Sequence, residues 1–463
     1  MRALMRSTYA FLAAALAVIL HAVVPSASAP DDATWLAAYR EPASRLIREA
    51  LSSNAAWNRL AELTDTFGHR LSGSENLERA IEWAVAEMRK DGLDAVRTEP
   101  VMVPRWVRGR ESAEIVKPVR SPLVMLGLGN SIGTPQAGIE APVIVVGSWG
   151  ELEARAADAK GRIVLYNVPF TSYGETVQYR STGAARAAKL GAVAVLLRSV
   201  GPIGLRTPHT GALRYADDVP RIPAAAITVE DAERLQRLQD RGVPVTVRLM
   251  MEAKFLPEAP SANVIGEIRG SERPEEIVVV GGHFDSWDVG TGATDDGGGC
   301  IATWEALRLM KKVGLRPRRT VRVVLFTNEE NGLRGGLAYR DQHRRELANH
   351  VLMIESDGGV FEPKGFGFSG SEAGRRLVES IATLLDRIGA SEIRPGGGGA
   401  DIGPSVEAGG IPAMSLNVEG NYFLIHHTQA DTIDRIPPID IAKSAAAIAV
   451  MAYVVADMPD KLR

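Results

Sequence analysis

The chain has 463 residues, of which 45% are hydrophobic and 24% are charged, and its net charge is −3. This length allows more than one domain, and the composition is that of a folded globular protein. Acidic and basic residues are interspersed and nearly balanced, which excludes the strongly basic surface typical of proteins that bind nucleic acid or anionic membranes. The single cysteine, Cys300, excludes an intramolecular disulfide.

The first 29 residues have the three parts of a secretory signal peptide. Two arginines lie within residues 1–6, an apolar stretch runs from residue 9 to residue 24, and small residues follow at 26–29. The apolar stretch is shorter than the roughly 20 residues that a membrane span needs, so we predict cleavage rather than a membrane anchor. The mature protein is therefore predicted to be exported, either to the periplasm or out of the cell.

From residue 41 to residue 255 the sequence predicts helices, then an edge strand, then an inserted domain. Residues 41–92 carry apolar residues at three- and four-residue spacing, which predicts helices, and residues 97–117 alternate like an edge strand. Residues 118–255 contain short β-rich runs and helices but only one histidine, His209, and no cluster of carboxylates. We interpret this segment as an inserted α/β domain without chemistry of its own.

From residue 256 onward, apolar β-rich runs alternate regularly with amphipathic helical segments. This alternation predicts an α/β fold with a doubly wound, mostly parallel sheet and helices on both faces. The predicted organisation is a signal peptide at 1–29, a catalytic domain in two parts at 30–117 and 256–463, and the inserted domain at 118–255.

Residues that can bind metal follow the predicted strands, at the edge where such sheets carry their sites. GGHFDSWDVGTGATDDGGG follows the first strand at 281–299, TNEENG the second at 327–332 and ESDGG the third at 355–359, while HHTQADT precedes the last helix at 426–432. Adjacent carboxylates repel each other and are costly to bury without a compensating cation. Because imidazole and carboxylate are the ligands of zinc, their recurrence at one sheet edge predicts a metal site.

These four segments resemble the metal motifs of the co-catalytic zinc exopeptidases, a family of aminopeptidases and glutamate carboxypeptidases. The likeness extends to GHRLSGSENLERAIEW at 68–83 and to the inserted domain, which resembles a protease-associated domain. The resemblance implies two zinc ions per chain, short peptides as substrates and a homodimeric enzyme. It also implies a cis peptide between Asp295 and Asp296.

Carried over position by position, the resemblance assigns a role to each motif. Glu329 would be the general base, and Asp295 would bridge the two ions. The other ligands would be His283 and Asp357 for one zinc ion, and Glu330 and His427 for the other. Four further residues are candidates for supporting these ligands or contacting the substrate: Asp285, Asp296, Asp401 and His426.

Several of these residues also have purely structural interpretations. The pair Asp295-Asp296 suits a turn or a helix cap, and Glu329-Glu330 suits a solvated pair. His426 occupies a position where some relatives place a tyrosine that donates to the reaction's oxyanion, but a packing role is equally compatible. Asp401 lies in RPGGGGADIG at 394–403, where relatives often have Ser-Asp-His, and it suits either a substrate amine or a turn.

The predicted function is the hydrolysis of short peptides, in particular unblocked dipeptides, by a water molecule that two zinc ions share. Three alternatives remain: an aminopeptidase acting on longer peptides, a non-catalytic relative that binds a partner, and a single-zinc acyltransferase built on a similar sheet. The complete ligand set together with Glu329 disfavours the non-catalytic relative, since a binding module needs no base. The sequence predicts no nucleic-acid partner and, after removal of the signal, no membrane anchor.

Overall fold

The computed structural model describes residues 32–463, so the predicted signal peptide at 1–29 lies outside the described residues. Within that part of the chain the strands are β1 Asp94–Val107, β2 Glu111–Lys117, β3 Ser121–Leu123, β4 Met125–Gly127, β5 Ile139–Val146, β6 Ile163–Tyr166, β7 Ala194–Arg198, β8 Ala224–Ile227, β9 Thr246–Met251, β10 Lys254–Ile268, β11 Arg273–His283, β12 Arg319–Phe326, β13 His350–Glu355, β14 Glu362–Ser369, β15 Glu392–Pro395 and β16 Ala413–Glu419. The helices are α1 Asp32–Ala37, α2 Arg40–Leu51, α3 Ala55–Phe67, α4 Glu75–Lys90, α5 Trp149–Ala154, α6 Ala156–Ala159, α7 Tyr173–Lys189, α8 Val229–Asp240, α9 Gly298–Lys312, α10 Arg334–Gln342, α11 Glu372–Ala382, α12 Gly403–Gly409, α13 Tyr422–Ile425 and α14 Pro438–Asp457. The strands form two eight-stranded sheets.

The first sheet has the strand order β1-β10-β12-β11-β13-β16-β14-β15. Its central strands β12, β11, β13 and β16 are parallel to one another. Strands β1 and β10 form an antiparallel ribbon on one side, and β14 runs antiparallel to β16 on the other. The predicted α/β fold with a mostly parallel sheet is confirmed at this centre, whereas the antiparallel flanks were not foreseen.

Burial explains why the central strands read as continuous apolar runs. Every residue of β12 is buried, as expected for a parallel strand covered by helices on both faces. Helices α9 and α14 pack in the same apolar core as α2, α3 and α4. Helix α14 is long and apolar enough to span a membrane, but most of it is buried inside the protein, as in a core helix.

The second sheet has the order β3-β2-β9-β5-β6-β7-β8-β4 and packs in two apolar cores, one of which also includes Trp106 of β1 and Trp287 of the loop after β11. After β1 the chain turns at Gly109, whose φ is 68°, and enters this sheet at Glu111, because β2 pairs with β9. Residues 111–117 therefore belong to the second sheet and do not extend the edge strand β1. The division of the chain into domains at residues 118 and 255 stays a prediction.

Candidate metal centre

The carboxyl ends of three parallel strands bring the predicted metal ligands together. His283 is the last residue of β11, and Glu330 and Asp357 lie in the loops that follow β12 and β13. Because β11 lies between β12 and β13, these three positions share one sheet edge. The loop after β11 adds Asp295, and the segment after α13 adds His427.

Asp295 lies between the two histidines. Its Oδ1 is 3.2 Å from Nε2 of His283, and its Oδ2 is 3.0 Å from Nε2 of His427. Asp357 approaches the first imidazole, with Oδ1 3.4 Å from Nε2 of His283, and Glu330 approaches the second, with Oε2 3.1 Å from Nε2 of His427. The side chains thus form two imidazole–carboxylate pairs joined by one aspartate, which is the grouping that the ligand assignment requires.

The donor atoms of this cluster fit a metal ion. Ligand atoms of His283, Asp295 and Glu330 lie within 4.8 Å of one another. Within this cluster, three buried carboxylate oxygens accept no well-aligned hydrogen bond from the described residues: Asp295 Oδ2, Glu330 Oε1 and Asp357 Oδ1. A buried carboxylate oxygen without a donor is strongly unfavourable, and a bound cation removes that penalty. The residues present therefore suit a divalent metal with nitrogen and oxygen ligands.

The two imidazoles are oriented for coordination through Nε2. Nδ1 of His283 lies 3.0 Å from the backbone oxygen of Asp285, so an N–H there leaves Nε2 free to accept. Burial acts to lower the pKa of His283, but the charge of Asp357 and the hydrogen bond with Asp295 raise it well above its usual range. Burial also acts to lower the pKa of His427, but Glu330 and Asp295 raise it to about 10. The surrounding carboxylates therefore favour positive charge at this point, as a proton or as a metal ion.

Asp285 supports the Glu329-Glu330 segment more closely than it supports an imidazole. Its carboxylate accepts hydrogen bonds from the backbone nitrogens of Glu329, at 3.0 Å, and Glu330, at 3.3 Å. Ser72 Oγ donates to the same carboxylate at 3.0 Å. By contrast, Oδ1 of Asp285 is 4.0 Å from Nδ1 of His283. Asp285 therefore fixes the turn that carries the predicted base and one predicted ligand.

The carboxylate of Asp296 ties the end of β11 to the start of α9. Its Oδ2 accepts from the backbone nitrogen of His283 and its Oδ1 from that of Gly299, both at 3.1 Å. The peptide between Asp295 and Asp296 is cis, as the resemblance implies. The carboxylate of Asp431 accepts from the backbone nitrogen of Asp295 at 3.1 Å and so fixes the backbone of this predicted ligand.

His426 borders the metal centre. Its ring stacks on that of His427 with the centroids 3.5 Å apart, and its Nε2 is 3.7 Å from Oδ2 of Asp295. Burial and the neighbouring His427 lower the pKa of His426 well below its usual range, so the ring is neutral. A neutral imidazole beside the ligands can offer one N–H to a substrate oxygen.

Asp401 is not in contact with the cleft. It is fully buried, and its neighbour Ala400 lines the cleft instead. The backbone nitrogen of Ile402, the residue after Asp401, donates to Glu355 at 2.9 Å, and burial and the charge of Glu355 raise the pKa of Asp401 well above its usual range. The burial of this side chain favours the turn interpretation over direct contact with a substrate amine, and the role of Asp401 stays a prediction.

Comparison with known proteins places the chain in a family. The profile of Peptidase family M28 matches residues 263–452, the segment that carries the four motifs. Carboxypeptidase Q of Homo sapiens is 47% identical over 411 residues, which cover 89% of this chain and 87% of that protein. Carboxypeptidase Q of Xenopus laevis is 47% identical over 433 residues, which cover 93% of this chain and 92% of that protein. The chain belongs to peptidase family M28.

Solved structures agree with the assignment to family M28. A Peptidase M28 precursor from Shewanella amazonensis SB2B is 36% identical, with a TM-score of 0.89 over 92% of this chain and 98% of that chain. A zinc aminopeptidase from Bacillus subtilis shares the fold, with a TM-score of 0.66 and 22% identity over 88% of this chain and 96% of that chain.

In this M28 peptidase the second sheet takes part in the site. A cleft of about 830 Å³ opens onto the predicted ligands. It is lined by Glu329, which follows β12 of the first sheet, and by Tyr173 and Arg180 of helix α7, which packs on the second sheet. Arg180 and Thr210 also contact the imidazole of His427. Residues 118–255 therefore contribute side chains to the cleft, and the interpretation that they have no chemistry of their own stays a prediction. Neither residue lies in a metal motif, and they are 247 and 217 positions away from His427.

Arg70 is another residue that sequence reasoning did not single out. It is fully buried, and its guanidinium donates to the backbone oxygens of Phe284, Thr291 and Gly292 at 2.7–2.9 Å. These acceptors lie in the loop that joins His283 to Asp295, so Arg70 fixes the path between two predicted ligands. Its only sequence signal was its position in the segment at 68–83, which resembles the same family.

Proposed function

We propose that this M28 peptidase is a zinc-dependent exopeptidase that hydrolyses short peptides, with unblocked dipeptides as its preferred substrates. The observation that carries the proposal is the position of Asp295 between two imidazole–carboxylate pairs. It is supported by the likeness to proteins named carboxypeptidase Q and by a shared fold with a protein named a zinc aminopeptidase.

Two zinc ions are proposed to bind this centre. His283 and Asp357 would hold one ion and Glu330 and His427 the other, with Asp295 shared between them. When bound, the ions would bring the pKa of a water molecule towards neutrality and polarise the scissile carbonyl.

Glu329 is proposed to be the general base. It lines the cleft, and its backbone is held by Asp285, so its carboxylate is presented to a bound substrate. Burial raises the pKa of Glu329 well above its usual range, although His283 opposes this effect. A raised pKa suits a group that takes a proton from the attacking water and then delivers it to the leaving amine near neutral pH.

His426 is proposed to stabilise the oxyanion that develops on the carbonyl oxygen. Its neutral ring lies against His427 and close to Asp295, at the border of the cleft. A fixed N–H donor near the developing charge lowers the barrier without reorganisation.

The size of the cleft supports the choice of short peptides. Its volume of about 830 Å³ is in the range of small-molecule sites, and helix α7, which packs on the second sheet, forms one of its walls. A long or folded polypeptide would have to displace residues such as Tyr173 and Arg180, which are fixed by hydrogen bonds.

A panel of matched peptides tests the substrate class. Free dipeptides, their N-acetylated forms and longer peptides with the same first two residues would be digested, and the products identified by mass spectrometry. We expect free dipeptides to be cleaved with the highest kcat/KM and N-acetylation to reduce the rate. An unchanged rate after acetylation would exclude a required free amine, and a preference for longer peptides would establish the aminopeptidase alternative.

We also propose that the enzyme is exported and forms a homodimer. The signal-like composition of residues 1–29 supports export, and the resemblance to the family supports the dimer. Amino-terminal sequencing of the mature enzyme should show a start near residue 30. Light scattering should give twice the mass of one chain, and a monomer would contradict the dimer.

A further inference from the structure

The loop between β7 and β8 of the second sheet meets the segment that carries His427. Thr210, in this loop, is fully buried, and its backbone nitrogen donates to the backbone oxygen of His427 at 3.0 Å. His427 has a φ of 60°, in the left-handed region that is unfavourable for a residue with a side chain. The hydrogen bond from Thr210 therefore holds a backbone conformation that His427 would not readily adopt alone.

The imidazole of His427 reaches back to the same residue. Its Nδ1 is 3.3 Å from the backbone oxygen of Thr210, while its Nε2 faces Asp295 and Glu330 at 3.0 and 3.1 Å. An N–H on Nδ1 that donates to this oxygen leaves Nε2 unprotonated. A metal-binding imidazole needs such an acceptor, which fixes both the tautomer and the ring orientation.

Because Arg180 lies beside both groups, the position of the Thr210 backbone oxygen determines which ring nitrogen of His427 carries the proton. Its Nη1 donates to that oxygen at 3.2 Å and also lies 3.2 Å from Nδ1 of His427, and its Nη2 donates to the hydroxyl of Tyr173 at 2.7 Å. A guanidinium can only donate. If the Thr210 oxygen moved away, Arg180 would donate to Nδ1, the ring proton would occupy Nε2, and the imidazole could not bind a metal through that atom.

The side chain of Thr210 anchors the loop. Its Oγ1 donates to the backbone oxygen of Gly127 at 2.7 Å and lies 3.3 Å from Nη2 of Arg108. Arg108 forms a 2.6 Å ion pair with Asp288, which lies in the loop between His283 and Asp295. The hydroxyl thus connects the Thr210 segment both to its own sheet and to the loop of the metal centre.

We infer that Thr210 of the second sheet is a positioning residue for the metal centre: it holds His427 in the tautomer and orientation that expose Nε2. This inference rests on the proposed two-metal function. It implies that the second sheet is required for metal retention and not only for enclosing the substrate.

Substitution of the hydroxyl tests this role. Thr210→Val keeps the shape and removes the anchor, and Thr210→Ser keeps the anchor. Thr228→Val is the matched control, because Thr228 is also fully buried, directly after β8, and its Oγ1 accepts from the backbone nitrogen of Asp231 at 3.2 Å at the start of α8. Zinc per chain and zinc transfer to a competing chelator would be measured for the full-length enzyme, with KM and kcat at saturating zinc and thermal unfolding.

We expect Thr210→Val to lose one of its two zinc ions at a chelator concentration about 10- to 100-fold lower than wild type, the usual effect of removing an outer partner of a metal ligand. Thr210→Ser and Thr228→Val should retain zinc like wild type, and KM at saturating zinc should be unchanged in all of them. If Thr210→Val does not fold, Thr210→Ala and Thr228→Ala replace the pair.

Equal zinc retention by the Thr210 variants and the wild type would overturn the inference and leave the proposed function intact. Equal losses in the Thr210 and Thr228 variants would also overturn it, because they would show a general loss of stability. A wild-type enzyme that neither binds zinc nor cleaves peptides would instead contradict the proposed function itself.

Discussion

Glu329 and Glu330 are adjacent and chemically identical, yet their substitution by glutamine should have different consequences. They lie in the turn after β12, and their side chains have different surroundings. Oε2 of Glu330 is 3.1 Å from Nε2 of His427, within the ligand cluster, whereas Glu329 is half-buried at the wall of the cleft. These different surroundings support the proposal that Glu330 is a ligand and Glu329 the base.

The expected magnitudes follow from these positions. Glu329→Gln keeps the shape of the side chain but cannot accept a proton, and a positioned base contributes roughly 10²- to 10⁴-fold to the rate. The kcat should fall by at least about 100-fold, with zinc content and thermal stability nearly unchanged. Glu330→Gln removes a charged ligand from a buried site, so one of the two zinc ions should be lost and the structure around His427 should become less stable.

The assay compares zinc per chain, kcat on a free dipeptide and thermal unfolding for both variants and the wild type. Glu407→Gln is a suitable control, since Glu407 is exposed on α12 and the same substitution there should change none of the three quantities. If Glu329→Gln loses zinc while Glu330→Gln keeps it, the two roles are reversed and the motif has been aligned one residue out of register.

Three further predictions concern the metal, the support of the base and the effect of pH. Chelation should abolish peptide hydrolysis and added zinc should restore it, and full activity of the metal-free enzyme would refute the metal requirement. Asp285→Asn should lower kcat by about 10- to 100-fold with two zinc ions still bound. The backbone nitrogens of Glu329 and Glu330 donate to different oxygens of Asp285, and the asparagine NH2 group replaces one of these acceptors with a donor; a change in thermal stability alone would argue against this role. Burial acts to raise the pKa of Glu99, but hydrogen bonds with His343 and Arg97 and the charges of both lower it overall. Its stabilising effect is therefore full above the unfolded pKa of about 4.3 and is lost as the pH falls through the lower folded value. In urea unfolding across this range, the free energy of unfolding should decrease less steeply for Glu99→Gln than for the wild type, and parallel curves would count against the shift.

The metal motifs could be predicted because they are local and their placement follows a rule. The carboxyl ends of neighbouring parallel strands share one sheet edge, so a histidine at the end of one strand lies near carboxylates that follow its two neighbouring strands. His283, Glu330 and Asp357 are of this kind, and the structure brings them together. The mostly parallel centre of the first sheet was predictable for a related reason, since buried parallel strands read as apolar runs.

Contacts between distant segments could not be predicted in this way. The hydrogen bonds between Thr210 and His427 join residues 217 positions apart, and a single threonine in a loop carries no periodic signal. The burial of Asp401 depends on the path of a glycine loop, which composition does not specify. The entry of the chain into the second sheet at Glu111 likewise depends on pairing with β9, far along the sequence.

Titration of the metal-free enzyme with zinc, followed by dipeptide hydrolysis, tests the two-metal centre most directly. The proposed ligands form two pairs, His283 with Asp357 and His427 with Glu330, and Asp295 lies between them. The account predicts that activity rises until about two equivalents of zinc per chain are bound and then stays constant. Maximal activity at one equivalent, or without any metal, would contradict it.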